Sequence, residues 1–402
     1  LDAVVLVGGC DKTIPAQIMG AVSANLPALI APVGPMLAGR DEDVRLGACT
    51  DCRRLWAERR ADTIDDARLE QARGRLMPTH GTCMVMGTAS TMACLAETLG
   101  FVLPGGASIP AVHSERLRFG EATGRRAVEM AISGGPSAAE LVTAGSVANA
   151  ITVLHALGGS TNAVIHLVAM AGRAGIHVDL DEVDRIGRST PVIVDLKPVG
   201  AGFMEDFHHA GALPAVMRRL RSSLDLTAIA ADGRSFADVI DTWPAWTDDR
   251  IIRPLDQPVV PGEALAVLRG SLAPNGAVLK RAAANGPLLQ HEGTALVFDG
   301  LDDLTARLDD PSLPVTPDTV LVLRGAGPIG AGMPEAGSIP IPAKLARAGV
   351  KDMVRISDAR MSGTAYGTVI LHVSPESAAG GPLALVRDGD RIRLDTAGRR
   401  LD

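Results

Sequence analysis

Apolar runs and helix-like stretches alternate along the first part of the chain, as they do in α/β proteins. Short apolar runs bounded by Gly or Pro predict buried strands at residues 2–7, 29–33 and 191–195. Longer stretches predict helices at residues 14–25, 84–99, 115–133, 137–157, 160–174 and 204–220. Residues 41–76 are charged and are predicted to form helices joined by loops. The pattern is typical of an open α/β sheet.

The pattern changes after about residue 225, where short β-rich segments follow one another closely. They lie at residues 265–268, 276–279, 294–298, 319–323, 354–356 and 368–373. Closely spaced strands of this kind predict a barrel or a sandwich. We therefore expect a domain boundary between about residues 221 and 258, which divides the chain into domains at 1–235 and 236–402.

The turn Gly8-Gly9-Cys10-Asp11-Lys12 joins the first predicted strand to the first predicted helix. Open α/β sheets place active sites at such turns, and the two glycines leave room for a ligand. A thiolate is a soft ligand suited to an iron–sulfur cluster or zinc, whereas a carboxylate suits a hard cation such as Mg²⁺. Adjacent Cys10 and Asp11 therefore indicate two different metal sites, with an ordinary turn and a buried thiol as the alternative.

The other four cysteines differ in their surroundings. Cys83 precedes a predicted helix, whose N-terminal dipole would stabilise a thiolate. Cys49 and Cys52 have the C-x-x-C spacing of zinc or redox sites, but no second pair completes a zinc site, so we interpret them as incidental thiols. A zinc protein that uses this pair is an alternative hypothesis. Cys94 lies in an apolar helix and is predicted to be a core residue.

Two segments of the second region lead from a predicted strand into a turn of small residues. Residues 323–335 form a Gly-rich loop that ends at Glu335 and resembles neither a Walker loop nor a dinucleotide fingerprint. Residues 355–364 contain Ser362, a candidate nucleophile or base. The chain has no G-x-S-x-G elbow, which disfavours a hydrolase triad. The histidines form no H-E-x-x-H motif, and we interpret those in helix-like segments as structural: His155, His166, His208 and His209.

Composition and charge argue against a nucleic-acid-binding protein and against a membrane-spanning one. The chain has 402 residues, 47% of them hydrophobic, and a net charge of −7. We expect no nucleic-acid partner, because the charge is negative and no basic tract is interleaved with aromatics. We expect no membrane span, because no apolar run is long enough. Without a secretory signal, the five cysteines are expected to be free thiols or metal ligands and not disulfides, and we expect a soluble, cytoplasmic protein. Both ends read as cut from a longer chain.

Seven segments, in order, resemble motifs of the dihydroxy-acid and sugar-acid dehydratase family of iron–sulfur enzymes. They are residues 9–12, 81–83 with 86–92, 157–163, 204–208, 272–277, 332–335 and 360–364, and the resemblance extends to about residue 390. It implies an α/β domain with a mostly parallel sheet, followed by a β-barrel domain. It also implies an active site between the domains and near a dimer interface, in a homodimer or homotetramer.

The resemblance implies specific ligands at matching positions. Cys10 and Cys83 would ligate the cluster, and Asp11 and Glu335 would ligate Mg²⁺. Lys12 would be carbamylated, which converts a cation into a further carboxylate-type ligand. The family also uses a third cluster cysteine and a further Mg²⁺ aspartate, both upstream of this turn, and only nine residues precede Cys10. We therefore expect a missing N-terminal segment, and an inactive structural relative is the non-enzyme alternative.

The resemblance also implies a reaction. Ser362, as an alkoxide, would be the base that removes the C2 proton of a 2,3-dihydroxy acid, with Thr364 close to this small anionic substrate. The product would be a 2-keto acid. Residues 83–90 look more like the sugar-acid branch, such as arabinonate and xylonate dehydratases, than the branched-chain biosynthetic one. This branch favours a [2Fe–2S] cluster over [4Fe–4S], and the biosynthetic dihydroxy-acid dehydratase is the second hypothesis.

Overall fold

A computed structural model describes residues 1–332 and 338–402, which form two compact units. The first unit contains residues 1–49 and 75–264, and the second contains 50–74 and 265–402. Up to residue 264 the elements are β1 (Val4–Gly8), α1 (Thr13–Ala24), β2 (Ala28–Pro32), β3 (Gly39–Asp41), β4 (Val44–Leu46), α2 (Ala48–Arg60), α3 (Asp66–Arg73), α4 (Thr88–Thr98), α5 (Ser114–Ser133), α6 (Ala138–Leu141), α7 (Ala144–Ala156), α8 (Asn162–Arg173), α9 (Leu180–Arg188), α10 (Met204–His209), α11 (Ala212–Arg219) and α12 (Phe236–Thr242).

The elements after residue 264 all belong to the second unit. They are β5 (Ala266–Leu268), β6 (Gly276–Leu279), β7 (Gln290–Asp299), α13 (Gly300–Arg307), β8 (Val320–Arg324), α14 (Pro328–Ala331), α15 (Ala343–Arg347), β9 (Arg355–Ser357), β10 (Val369–Ser374), β11 (Arg391–Asp395) and β12 (Arg400–Leu401).

The first unit is mainly helical around one parallel strand pair. β1 pairs with β2 in parallel, with Val4 opposite Ala28 and Gly8 opposite Pro32. Helix α1 follows β1 and packs against α4, α6 and α8. Its buried residues Ile14 and Ile18 are four positions apart, so they share one face of the helix. This packing fixes the turn between β1 and α1 at the end of the strand.

Among the described residues, the strand predicted at 191–195 forms isolated antiparallel bridges and no strand of a sheet. Val192 is opposite Val260, and Val194 is opposite Ile252. Between them, the amide of Ile193 donates to the carbonyl of Ala156 (2.9 Å). Because the backbone partners come from different segments, no continuous ladder forms.

The second unit is built on an eight-stranded sheet with the order β12-β11-β7-β8-β9-β10-β6-β5. The four central strands, β7 to β10, are parallel, and their neighbours β11 and β6 are antiparallel to them. The outer strands β12 and β5 are antiparallel to β11 and β6 in turn. The two ends of this order meet at a bridge between Arg269 and Arg400, where the amide of Arg269 donates to the carbonyl of Arg399 (2.9 Å). The sheet therefore closes into a barrel-like form.

Side chains on both faces of the central strands are buried. Alternate residues of all eight strands form one cluster, as expected for a barrel interior: Leu268, Ala277, Leu279, Ala295, Val297, Val320, Val322, Ile356, Ile370, Ile392, Leu394 and Leu401. The intervening residues of β7 and β8 pack with residues of α13 and α15, such as Leu304 and Leu345. Burial on both faces explains why these strands read as continuous apolar runs.

The α/β class and the C-terminal barrel are confirmed. In the described part of the chain, the parallel sheet of the first unit consists of β1 and β2. Among the described residues, no helix is long and apolar enough to cross a lipid bilayer. The domain boundary near residue 235 stays a prediction.

Candidate functional site

The turn after β1 presents Cys10, Asp11 and Lys12 in the first unit. Cys10 is exposed, whereas Asp11 is only 9% exposed. The Cys10 thiol donates to Asp11 Oδ1 (3.8 Å). A Cβ at Gly9 would lie 2.2 Å from Cγ2 of Val33, so only glycine fits this close approach. The turn thus holds a soft and a hard ligand side by side.

The loop that carries Cys83 lies next to this turn. The amide of Thr82 donates to the carbonyl of Gly34 (2.9 Å), just beyond β2, and its carbonyl accepts from the amide of Met36 (2.9 Å). A Cβ at Gly9 would also lie 2.8 Å from Cγ2 of Thr82. The residues that precede Cys10 and Cys83 therefore adjoin, and the structure brings the two cysteine loops together.

The helix after Cys83 begins later than the sequence predicts. α4 starts at Thr88, so Cys83 does not stand at a helix N-terminus and the dipole argument for its thiolate is wrong. The carbonyl of Met84 accepts from the amide of Met204 (2.8 Å), and the amide of Met86 donates to the carbonyl of Lys197 (2.9 Å). The first of these tertiary bonds occupies a carbonyl that a helix beginning at Met84 would need.

Two of the motif segments in the first unit meet through a buried polar network. The hydroxyl of Thr88, at the start of α4, lies 2.8 Å from that of Ser160. The side-chain amide of Asn162, at the start of α8, donates to Thr88 Oγ1 (3.1 Å). Hydrogen bonds between buried side chains restrict the arrangement of the groups that make them. The network therefore holds the starts of α4 and α8 in register.

Ser362 lies in the second unit, in the turn between β9 and β10. Its Oγ lies 2.8 Å from Oγ1 of Thr364 and accepts from the amide of Thr364 (3.3 Å). A hydroxyl and an N–H directed at one oxygen stabilise negative charge on it. The turn therefore suits a serine that works as an alkoxide, the role that the family resemblance implies for Ser362.

The Gly-rich loop after β8 is held by two carboxylates that the sequence analysis did not single out. Asp358 accepts from the amides of Gly325 (3.2 Å) and Ala326 (3.1 Å). Glu376 accepts from the amides of Ile329 (2.9 Å) and Gly330 (2.7 Å). Their only signal in the sequence is a carboxylate in or near a strand of the same region. Glu335 lies outside the described residues.

Lys280, directly after β6, is the third residue that sequence reasoning missed. It is 5% exposed, and its Nζ donates to the carbonyl of Gly363 (3.0 Å), between Ser362 and Thr364. Burial lowers the pKa of Lys280 to about 7. A lysine at the end of a fully apolar strand is the signal that could have found it.

Cys49, Cys52 and Cys94 lie on helices, as do the four histidines of the helix-like segments. Cys94 is fully buried in α4, and burial raises the pKa of its thiol, so its prediction as a core residue is confirmed. Cys49 and Cys52 lie one turn apart on α2. His155 Nε2 lies 3.2 Å from the carbonyl of Val183. His208 joins His113 and His209 in a ring cluster, and burial lowers its pKa.

The donor groups fit the implied cofactors in kind. The adjoining loops offer two accessible sulfurs, from Cys10 and Cys83, and the buried Asp11 carboxylate stands beside the first. Within the described ranges, no group of three or more His, Cys, Asp and Glu side chains could hold a metal ion by itself. The two thiols would therefore be part of a ligand set, not the whole of it.

Comparison with known proteins identifies similar chains. Residues 1–239 match the family model described as dihydroxy-acid/6-phosphogluconate dehydratase N-terminal, and residues 250–402 match the corresponding C-terminal model. The chain is 50% identical to an L-arabonate dehydratase of Azospirillum brasilense, over 98% of this chain and 68% of that one. It is 48% identical to a 6-deoxy-6-sulfo-D-gluconate dehydratase of Pseudomonas putida, over 100% of this chain and 70% of that one. It is 38% identical to a dihydroxy-acid dehydratase of Geobacter metallireducens, over 100% and 72%.

Proposed function

Because this chain belongs to the dihydroxy-acid/6-phosphogluconate dehydratase family, we propose that it dehydrates a sugar acid to a 2-keto acid. The observation that carries the choice of substrate is the identity of 45–50% to relatives named for sugar acids, against 38–39% for dihydroxy-acid dehydratases. The substrate is a small anionic aldonate such as arabinonate or xylonate. The second candidate is the dihydroxy-acid dehydratase of branched-chain amino acid biosynthesis.

The proton at C2 goes to the oxygen of Ser362. The electron pair of the C2–H bond forms the C2=C3 double bond as hydroxide leaves C3, and the resulting enol tautomerises to the keto acid. A serine is normally too weak a base for this proton, so its alkoxide must be stabilised. The amide and hydroxyl of Thr364, at 3.3 and 2.8 Å from Ser362 Oγ, support this role.

The cofactors are proposed to be held by the residues of the family motifs. Cys10 and Cys83 would hold an iron–sulfur cluster, [2Fe–2S] in preference to [4Fe–4S]. Asp11, carbamylated Lys12 and Glu335 would hold Mg²⁺. When bound, these groups supply Lewis acids for the leaving hydroxyl and for the charge that develops beside the substrate carboxylate. The adjoining positions of the two cysteine loops support the shared cluster.

The proposal extends to assembly and location. We infer a homodimer or homotetramer that works in the cytoplasm, where thiol ligands stay reduced. The chain would bind no nucleic acid and no membrane, in keeping with its net charge of −7.

The decisive experiment uses protein purified without oxygen. We expect a visible absorption band from the cluster, and release of 2-keto acid from arabinonate or xylonate faster than from 2,3-dihydroxyisovalerate. Faster turnover of 2,3-dihydroxyisovalerate would favour the biosynthetic activity instead. A colourless protein that is inert toward all three acids would contradict the dehydratase proposal and favour an inactive structural relative.

A matched pair of serine variants tests the base. Ser362→Ala should lower kcat by about 10²–10⁴-fold, because it removes the group that accepts the proton. Ser312→Ala is the control, since Ser312 Oγ donates to Asp310 Oδ1 (2.7 Å) in another turn of the same unit. An S362A variant with kcat near that of S312A would exclude Ser362 as the base.

A further inference from the structure

Lys280 is an ionisable side chain enclosed by the second unit, with a carbonyl as its partner. Its Nζ donates to the carbonyl oxygen of Gly363 at 3.0 Å. Within the part of the chain that the structure describes, Nζ makes this one hydrogen bond. Burying a lysine costs free energy, and a single neutral acceptor offsets little of it. Such a residue calls for an explanation other than stability.

The partner carbonyl belongs to the peptide group that faces Ser362. The carbonyl of Gly363 and the N–H of Thr364 are the two ends of one planar peptide unit. That N–H donates to Ser362 Oγ at 3.3 Å. A donor at the carbonyl end fixes the plane of the peptide and strengthens its N–H as a donor, because chains of hydrogen bonds polarise one another.

We propose that Lys280 is a positioning residue for Ser362, which acts through the Gly363–Thr364 peptide to stabilise negative charge on Ser362 Oγ. This inference rests on the proposed function, in which Ser362 is the base. Lys280 does not need to be charged for this role, since a neutral amine also donates a hydrogen bond. Burial lowers its pKa to about 7, so both forms are present near neutrality.

The turn has other attachments, which makes the role of Lys280 separable from folding. The amide of Gly367 donates to the carbonyl of Ala283 (2.8 Å). The amide of Asn285 donates to Oγ1 of Thr368 (3.2 Å). Residues 280–285 therefore bind the turn through two further hydrogen bonds. Loss of the Lys280 bond should leave the fold intact and free only the peptide beside Ser362.

The test compares three variants of the holoenzyme. Lys280→Met removes the donor but keeps the apolar stem, and Lys280→Gln restores a neutral donor. Lys344→Met is the matched control, because Lys344 Nζ also donates to backbone carbonyls of the same unit, those of Pro311 (3.3 Å) and Leu313. We expect K280M to lower kcat about tenfold or more with KM nearly unchanged, K280Q to recover part of the loss, and K344M to keep the kcat of the wild type.

A second measurement keeps the inference testable without turnover. Amide hydrogen exchange of residues 362–368, followed by mass spectrometry, should be faster in K280M than in K344M and the wild type. If the wild type turns over none of the acids, the proposed function fails, and exchange alone decides on the positioning role. Equal exchange in K280M and K344M, or a K280M kcat within twofold of the wild type, would overturn the inference.

Discussion

Glu97, near the end of α4, is a carboxyl group that is only 3% exposed. It accepts from the amides of Gly105 (2.7 Å) and Ala107 (2.9 Å) and so holds the loop before α5. Arg116 binds the same loop through the carbonyl of Gly106 (3.1 Å). Burial raises the pKa of Glu97 to about 8, against the lowering effect of the two amides and of Arg116.

The raised pKa of Glu97 predicts a specific pH dependence of stability. Its carboxyl group ionises near pH 4.5 in the unfolded chain and near pH 8 in the folded protein, so folding binds a proton between these values. The stabilisation is complete below pH 4.5 and is lost as the pH rises through 8. The unfolding free energy of the wild type should therefore fall between pH 5 and pH 8. In Glu97→Gln this fall should be smaller by at least about 1 kcal/mol, as measured by denaturant unfolding at the two pH values. Glu121→Gln, at an exposed carboxyl group, is the control. If E97Q leaves the pH dependence of the unfolding free energy unchanged, the raised pKa of Glu97 is contradicted.

The hydroxyl of Thr364 gives a second prediction at this scale. It lies 2.8 Å from Ser362 Oγ, so Thr364→Val removes one of the two groups that stabilise the alkoxide while keeping the side-chain shape. We expect kcat to fall about tenfold. Thr316→Val is the control, because Thr316 Oγ1 meets another threonine hydroxyl, that of Thr319, at 3.3 Å. Similar kinetics in both variants would argue against a role for Thr364 near the reacting atoms.

Elements of this protein are predictable from sequence where local pattern decides them. The prediction of β6 at 276–279 is correct, as is that of a strand at 319–323 to within one residue, because buried strands leave an apolar run. Strands β11 and β12 were missed, since charged residues alternate with Ile392, Leu394 and Leu401. The helix predicted at 204–220 breaks at Gly211, which has φ of +117°.

The residues of the candidate site are also predictable only where a local sequence pattern marks them. Motif order points to Cys10, Cys83 and Ser362 because each stands in a short segment of unusual composition. Lys280 and Asp358 support the site through hydrogen bonds to backbone groups of residues that are distant in the sequence. A lysine at the end of an apolar strand is visible in the sequence, but its bond to Gly363 and those of Asp358 to the Gly-rich loop are not, so the structure was needed to find these contacts.

The Gly-rich loop carries a prediction at the scale of elements. Glu376 accepts from the amides of Ile329 and Gly330, at the start of the short helix α14. Glu376→Gln keeps the shape but places a donor against these amides, so unfolding free energy should fall by about 1–3 kcal/mol. Limited proteolysis should cut faster near residues 325–332. Glu292→Gln is the control, since Glu292 pairs with Arg391 on the surface, where ion pairs contribute about 0–1 kcal/mol. Equal unfolding free energies for E376Q and E292Q would contradict the anchoring role.

At the scale of the whole molecule, the two units do not correspond to two consecutive stretches of the sequence. Residues 50–74, with most of α2 and all of α3, belong to the second unit although the sequence on both sides belongs to the first. One tie is Arg60, whose guanidinium donates to both oxygens of Asp309 (2.8 and 2.5 Å) and to the carbonyl of Ile341 (3.0 Å). A bidentate pair with a further acceptor is stronger than an ordinary surface ion pair.

This arrangement predicts which parts of the chain open together. Arg60→Ala should lower unfolding free energy by about 1–3 kcal/mol and speed amide exchange of residues 50–74. Arg59→Ala is the control from the adjacent position, because Arg59 bonds Asp62 and Asp66 within the segment itself and should cost only about 0–1 kcal/mol. In the wild type, native-state exchange should show residues 50–74 losing protection in step with 265–402. Loss in step with the first unit, or equal effects of R60A and R59A, would contradict the assignment of this segment to the second unit.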